Sequence, residues 1–180
     1  MASLRLTASA SSGVTPTDLA MMARAIELAK KAAAMEEVPV GAVVYRGDRI
    51  IAEGYNLREA SRDPVAHAEL LALSKAGRAL KEWRLSDCSL AVTLEPCPMC
   101  AGAMVNARLG RVIYGATDPK AGACRTLYSI PTDARLNHEV EVIGGVMADQ
   151  CAALLKEFFR AKRHRNRQQR PRTARSARSA

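Results

Sequence analysis

The sequence lacks the features of several large protein classes. It has no apolar run near the roughly 20 residues that a membrane-spanning helix needs. Its first residues, MASLRLTASASSGV, lack the apolar segment of a secretory signal, so we expect a disordered leader over residues 1–16, with a weak organellar transit segment as the alternative. Aromatic residues make up only 4% of the chain. With 180 residues, 48% of them hydrophobic, one compact domain is expected and two are excluded.

The five cysteines do not form a disulfide framework. Cys88, Cys124 and Cys151 stand alone, and only Cys97 and Cys100 are close in sequence. An odd, scattered set of this kind is typical of a reducing environment, so we expect a cytoplasmic protein. The three single cysteines are expected to be small buried side chains.

Negative charge is absent from the C-terminal segment of the sequence. Nine of the 27 basic residues lie at or after Arg160, with no acid among them, and the remaining 18 equal the 18 acids in number. The net charge of +9 therefore belongs to this segment, and the rest of the chain is neutral. We predict one domain over residues 17–163 and an Arg-rich disordered tail over residues 164–180.

Apolar periodicity and turn residues predict nine helices and strands. Thr17 or Asp18 would cap a first helix that ends near Met35, and Asp63 would cap a second that starts at Pro64 and ends near Leu80. The other predicted elements are a hairpin turning at 46–48, strands at 90–94, 111–116 and 139–143, a helix from 96 to about 108 and a helix from 147. The order α-β-β-α-β-α-β-β-α predicts an α/β sandwich with a central sheet.

The stretch VTLEPCPMCAGA carries the clearest chemical signal. A pair of cysteines spaced like Cys97 and Cys100 suits a redox pair, a disulfide, half of a structural zinc site or a catalytic metal. A closed four-ligand site needs two more ligands, and the sequence has no second C-x-x-C. His138 and His164 are expected at the surface, which leaves His67 as the third ligand.

His67, Cys97 and Cys100 supply three ligands, one fewer than a closed tetrahedral site needs. Three protein ligands and one open position are the pattern of catalytic zinc. Glu69 lies roughly 200° around an ideal helix from His67, so both reach one site only if the helix points its first turn at it. Glu69 could then act as general base and general acid for a zinc-activated water. H-x-E followed by P-C-x-x-C is the signature of zinc-dependent deaminases.

A longer series of motifs resembles the bacterial-type tRNA adenosine deaminases of the cytidine deaminase superfamily. The motifs are EVPVGAVV, EGYN, DPVAHAELLAL, TLEPCPMCAGAM, RVIYGATDPKAGA, LNHEVEVIGGV and CAALLKEFFRAKR. The resemblance implies a cytidine-deaminase-like, three-layer α/β/α sandwich with a mixed sheet of about five strands. It implies a homodimer with one Zn²⁺ per subunit, held by His67, Cys97 and Cys100. It further implies that Glu69 shuttles protons while the wobble adenosine of a tRNA anticodon becomes inosine.

The same resemblance implies further substrate contacts. Asn56 would hydrogen-bond the target nucleoside, the backbone N–H of Ala68 would contact the base, and Asp118 would lie near the ribose. Phe159, with Phe158 beside it, would lie at the end of a helix against the anticodon loop. The sequence departs from the family after AGA, where residues 124–127, Cys-Arg-Thr-Leu, replace a Gly-Ser step.

Two other functions share these features. A free-base deaminase acting on guanine or cytosine would use the same zinc site without an RNA-binding surface. An RNA-binding or partner subunit with a decayed site is the third possibility, and the presence of Glu69 argues against it.

Overall fold

The computed structural model describes residues 13–169. Nearly all of the predicted leader, and the predicted tail after residue 169, lie outside the described residues. The helices and strands, in chain order, are α1 (Pro16–Ala34), β1 (Gly41–Arg46), β2 (Arg49–Tyr55), α2 (Arg58–Ser61), α3 (Ala68–Leu80), β3 (Ser89–Leu94), α4 (Pro98–Asn106), β4 (Arg111–Ala116), a 3₁₀ turn (Ile130–Thr132), β5 (Glu141–Gly144) and α5 (Ala148–Gln169). No helix among residues 13–169 combines the length and the apolarity that crossing a bilayer requires.

The five strands form one mixed sheet in the order β2-β1-β3-β4-β5. Strand β1 pairs antiparallel with β2 and with β3, whereas β3 to β4 and β4 to β5 are parallel. Adjacent residues of a strand face opposite sides of a sheet. Accordingly, Val43 packs with α1 and α5 on one face, and Val44 packs with α3 and α4 on the other. The predicted three-layer α/β/α sandwich with about five strands is confirmed.

Three helix ends differ from the sequence prediction. The N-cap of α1 is Thr15, not Thr17 or Asp18, because Asp18 completes a capping box with it. Helix α3 begins at Ala68 instead of Pro64, because the Asp63 side chain accepts the Val65 N–H and closes a turn before it. Helix α4 begins at Pro98, so Cys97 is its N-cap and not a helical residue.

Helix α5 extends six residues past the predicted domain boundary at 163. Its last turns, residues 164–169, belong to the segment that the sequence assigned to the disordered tail. They consist of His, Arg, Asn and Gln, without the Gly or Pro that ends helices, and the next proline is Pro171.

A buried ion pair fastens α1 to the sheet. The carboxylate of Asp18 is 1% exposed and accepts two hydrogen bonds from the Arg111 guanidinium, at 2.8 and 2.9 Å, and one from the Tyr45 hydroxyl at 2.5 Å. Burial alone would raise the pKa of Asp18, but the hydrogen bonds from Arg111, Thr15 and Tyr45 lower it from 3.8 to about 2. The charged form is therefore the one that the fold stabilises.

Replacing Asp18 by Asn is expected to lower the free energy of unfolding by about 2 kcal/mol near neutral pH. Because the folded-state pKa lies below the unfolded value, the carboxylate stabilises the fold above about pH 4 and loses this effect as the pH falls toward 2. Urea unfolding of both proteins between pH 2 and 7 measures the difference. Tyr45→Phe, which removes one hydrogen bond and no charge, is the control. A difference between wild type and Asp18→Asn that is as large at pH 2 as at pH 7 would contradict this account.

Candidate active site and metal centre

Three of the strands that end at one edge of the sheet lead to predicted site residues. Strands β2, β3 and β4 run in one direction, since β1 is antiparallel to both β2 and β3 and β4 is parallel to β3. Ligands of open α/β sheets bind beyond the carboxyl ends of their strands. Asn56 follows β2, Cys97 follows β3 after two residues, and Asp118 follows β4 after one. The topology thus places three sequence-predicted site segments at one edge.

The three predicted metal ligands lie together. The Nδ1 atom of His67 is 3.7 Å from the sulfur of Cys97 and 3.6 Å from that of Cys100, and the two sulfurs are 3.7 Å apart. Zinc bonds of about 2.3 Å to sulfur and about 2.0 Å to nitrogen, at tetrahedral angles, place two sulfurs about 3.8 Å apart and a sulfur and a nitrogen about 3.5 Å apart. The triangle fits a single tetrahedral ion. Among residues 13–169 it is the one group of this kind.

Two helix N-termini point at this triangle. His67 is the N-cap of α3 and Cys97 the N-cap of α4, both in extended backbone conformation, and Cys100 is the third residue of α4. Because His67 is not helical, the 200° separation expected between His67 and Glu69 does not apply, and both side chains reach one place. The positive ends of the two helices favour thiolates there.

The thiols and the imidazole are coupled by hydrogen bonds. Hydrogen bonds from Cys100 and, to a smaller extent, from His67 lower the pKa of Cys97 to about 4, although the burial of Cys97 acts to raise it. The contact with Cys97, together with burial, raises the pKa of Cys100. The hydrogen bond to Cys97 also raises the pKa of His67. A thiolate at Cys97 is the form in which a cysteine binds a metal.

Glu69 is a buried carboxyl group beside the triangle. It is the second residue of α3, is 4% exposed and interacts with the Cys100 thiol. Burial raises its pKa above the ordinary value of 4.5. A buried carboxyl group with a raised pKa is suited to both accepting and donating a proton. The structure thus brings the predicted proton shuttle next to the predicted ligands.

Two predicted substrate contacts are bonded to each other. The Ala68 N–H donates to the Oδ1 atom of Asn56 at 3.0 Å, and Asn56 is 6% exposed. Gly54 permits this approach, since a Cβ atom there would lie 2.2 Å from the Ala68 carbonyl oxygen. This hydrogen bond occupies the Ala68 N–H when no substrate is bound. The contact of this N–H with the base, which the resemblance implies, stays a prediction. The Asn56 side-chain NH₂ is the donor that points away from this bond.

The other predicted contacts lie outside the metal triangle. Asp118 is half-buried and its Oδ1 accepts the Lys120 N–H at 2.9 Å. Phe158 is buried, with its ring edge-to-face to Phe159 at a centroid distance of 5.4 Å, whereas Phe159 is 41% exposed. Of this aromatic pair, only Phe159 presents an accessible face to a ligand.

The remaining histidines and cysteines are separate from the centre. His138 is within hydrogen-bond distance of the Leu109 carbonyl at 2.7 Å, and His164 is exposed on α5. Cys88, Cys124 and Cys151 are free and buried. The positions of His164 and the three cysteines agree with the expectations from the sequence, whereas His138 is half-buried and not fully at the surface.

Sequence reasoning missed Glu95. This residue follows β3, is 2% exposed, and accepts hydrogen bonds from the segment after β4 that contains Asp118. The sequence did contain a signal for it. In LEPC, Glu95 is an acidic residue between a predicted buried strand and a predicted metal ligand. Buried carboxylates are rare without partners, so its position alone called for several donors.

The chain is similar to known deaminases. The family model of the MafB19-like deaminases matches residues 17–163. The tRNA-specific adenosine deaminase of Bacillus subtilis is 47% identical over 146 residues, which cover 81% of this chain and 91% of that protein. The tRNA-specific adenosine deaminase of Haemophilus influenzae is 45% identical over 147 residues, covering 81% and 85%.

Solved structures of other deaminases share the fold. One comes from a study of A-to-I editing by tRNA:A34 deaminases at the wobble position, with a TM-score of 0.73, 38% identity, and coverage of 76% of this chain and 99% of that one. Another is a guanine deaminase from Nitrosomonas europaea, with a TM-score of 0.67, 28% identity, and coverage of 81% and 85%.

Proposed function

We propose that this chain, which belongs to the MafB19-like deaminase family, converts adenosine to inosine at the wobble position of a tRNA anticodon. That the chain is a deaminase, and therefore a hydrolase, follows from the family and from its relatives. The observation that supports this choice of substrate is the 47% identity with a tRNA-specific adenosine deaminase along 91% of that protein's length. The net reaction consumes water and releases ammonia, and the exocyclic amino group on C6 of adenine is replaced by oxygen.

The proposed cofactor is one Zn²⁺ per subunit. His67, Cys97 and Cys100 would hold it, because two thiolates and one imidazole are a ligand set that suits zinc and their spacing fits its bond lengths. When bound with an open position, zinc supplies a Lewis acid that lowers the pKa of a coordinated water to about 7.

Glu69 is proposed to move the protons of the reaction. Its carboxylate accepts one proton from water and donates it to the ring nitrogen of the base. It then accepts the second proton of the same water oxygen and donates it to the amino group, which leaves as ammonia. Its 4% exposure supports this role, since a site without bulk water strengthens the interactions of a single carboxylate with the reacting groups. Asn56 is proposed to orient the nucleoside through its side-chain NH₂, with its oxygen held by the Ala68 N–H.

The proposed partner is the anticodon stem-loop of a tRNA. The target base must leave its stack, which costs least in a single-stranded loop. Support comes from the C-terminal half of α5, where Arg160, Arg163 and Arg167 are exposed near Phe159. Arginines bind phosphates without reading sequence, and an exposed aromatic ring can stack on a base. The homodimer and the cytoplasmic location stay predictions, the first from the family resemblance and the second from the cysteine pattern.

A free-base deaminase remains the alternative function. The observation that favours it is the likeness to the guanine deaminase of N. europaea over 81% of this chain. The identity of 28% is well below the 47% found with the adenosine deaminase of B. subtilis. We therefore keep guanine or cytosine as the second class of substrate.

One assay separates these functions. Purified, zinc-loaded protein is incubated with an anticodon stem-loop that carries a wobble adenosine, and separately with guanine and cytosine, and inosine and ammonia are measured. Inosine formation on the RNA, with turnover of the free bases at least about 100-fold slower, is the expected result. Ammonia from a free base and none from the RNA would support the alternative. Zinc binding without turnover of any substrate would favour the non-enzymatic subunit.

A further inference from the structure

Glu95 accepts five hydrogen bonds from one loop. Four are from backbone N–H groups, and the fifth is from the Thr126 hydroxyl. The four N–H donors and their distances are Asp118 at 3.1 Å, Cys124 at 3.2 Å, Arg125 at 2.8 Å and Thr126 at 2.9 Å. We call residues 118–126 the anchored loop. It begins with the predicted ribose contact, so whatever fixes it also fixes Asp118.

The arrangement needs a carboxylate and not merely a polar group. Three consecutive N–H groups, those of residues 124–126, converge on Oε1, while Oε2 takes the Asp118 N–H and the Thr126 hydroxyl. Successive N–H groups of this kind form an anion-binding nest. An amide has a single acceptor oxygen, and its NH₂ would face further donors. Burial acts to raise the pKa of Glu95, but the bonds from Thr126, Arg125 and Asp118 lower it.

The anchored loop is also fastened next to the metal ligands. The Ala123 N–H donates to the carbonyl oxygen of Pro96 at 2.8 Å, directly before Cys97. Gly122 packs so closely that a Cβ atom there would lie 2.4 Å from Oε2 of Glu95. The loop therefore takes its position from the two residues that precede a predicted zinc ligand.

Residues 124–127, where the sequence departs from the family pattern, can still form the hydrogen bonds to Glu95. Of Arg125, one of the residues that replace the Gly-Ser step, the nest uses only the backbone N–H, and the guanidinium donates instead to the Val142 carbonyl at 2.6 Å. The hydroxyl of Thr126 donates to the carboxylate of Glu95. The sequence change thus leaves both kinds of donor in place.

We propose that Glu95 is a positioning residue that holds the anchored loop, and with it Asp118, in register with the metal centre for binding of the substrate nucleotide. This proposal rests on the proposed function for its substrate. Glu95 lies beneath the loop, 2% exposed, and is bonded to protein donors, so it acts through Asp118 and not on the reacting atoms. Loss of the anchor should therefore weaken binding more than it slows the chemical step.

Thr126 offers a matched pair of variants that leaves Glu95 intact. Thr126→Val keeps the side-chain shape and removes one donor to the carboxylate, whereas Thr126→Ser keeps the hydroxyl. For deamination of the anticodon stem-loop, Thr126→Val is expected to raise KM about tenfold with kcat within about twofold, and Thr126→Ser is expected to restore KM. Glu95→Gln should raise KM further. Zinc content should stay at one per subunit in all three.

Amide hydrogen exchange tests the anchor without any substrate. In zinc-loaded protein, Glu95→Gln should accelerate exchange at residues 118 and 124–126 by at least about tenfold, while the amides of β3 and β4 keep their protection. If wild type forms no inosine but Glu95→Gln still accelerates exchange at these amides, the proposed function is wrong and the role of Glu95 in holding the loop is supported. Unchanged exchange in Glu95→Gln would overturn the proposal. So would a KM for Thr126→Ser as high as that for Thr126→Val.

Discussion

Replacing Glu69 by Gln should reduce kcat for deamination by a factor of about 10² to 10⁴ without removing the metal. Gln has nearly the same shape, so it should fit the site where Glu69 is 4% exposed at the start of α3. It cannot accept a proton from water or pass one to the departing amino group. The measurement is single-turnover inosine formation on the anticodon stem-loop, with the zinc content of the same preparation determined by atomic absorption.

Glu37 provides a matched control for this substitution. It is also a buried glutamate, 2% exposed, and its carboxylate accepts the Ala60 N–H at 2.8 Å. Glu37→Gln therefore makes the same chemical change in another buried position, where we expect lower stability and a kcat within about threefold of wild type. A Glu69→Gln protein that keeps one zinc per subunit and more than a tenth of the wild-type kcat would exclude Glu69 as the proton shuttle.

Replacing Cys100 by Ser should abolish zinc binding and with it deamination. Cys100 is fully buried, its sulfur lies 3.6 Å from His67 Nδ1 and 3.7 Å from the Cys97 sulfur, and a hydroxyl is a much poorer zinc ligand than a thiolate. A metal that binds only the folded state stabilises it, by about 4 kcal/mol at a free concentration 1,000 times Kd. Wild type should therefore melt at a lower temperature after chelation and recover with added zinc.

The melting temperature of Cys100→Ser should not respond to zinc or to a chelator. Cys151→Ser is the control, since this cysteine is equally buried but packs with α1 on the opposite face of the sheet. It should lose some stability and keep the zinc response and the bound metal. A wild-type melting temperature that is the same with zinc and with chelator would show that the triangle of His67, Cys97 and Cys100 does not hold a metal.

The strands and most helices could be predicted because their signals are local. Apolar alternation placed β4 at residues 111–116, as observed, and helical periodicity placed the end of α1 within one residue, although its N-cap was predicted two or three residues too late. The start of α3 was missed because Pro64 and Asp63 form a good N-terminal signal that a turn at residues 63–67 uses instead. This error had a chemical consequence, since an extended His67 and a helical His67 present the imidazole differently.

Residue types and spacing in the sequence were sufficient to predict the metal group. Three histidines, a single C-x-x-C and one H-x-E left few combinations, and the deaminase family was identified from the same motifs. Neither the spacing of residues nor the composition determines the distance in space between His67 and Cys97, which are 30 residues apart in the chain. That distance is set by β2, β3 and β4, which run in one direction and end at one edge.

What the sequence determined by itself is nine of the eleven elements among residues 13–169, the α/β sandwich and the residue types of the candidate metal centre, because each follows from short-range patterns. Only the tertiary structure decided how Asn56, Ala68 and Glu95 are used. Their hydrogen bonds join segments that are distant in the chain, up to 31 residues apart for Glu95 and Thr126. A buried acceptor takes whichever donors the packing brings to it, and that packing is a property of the whole sheet.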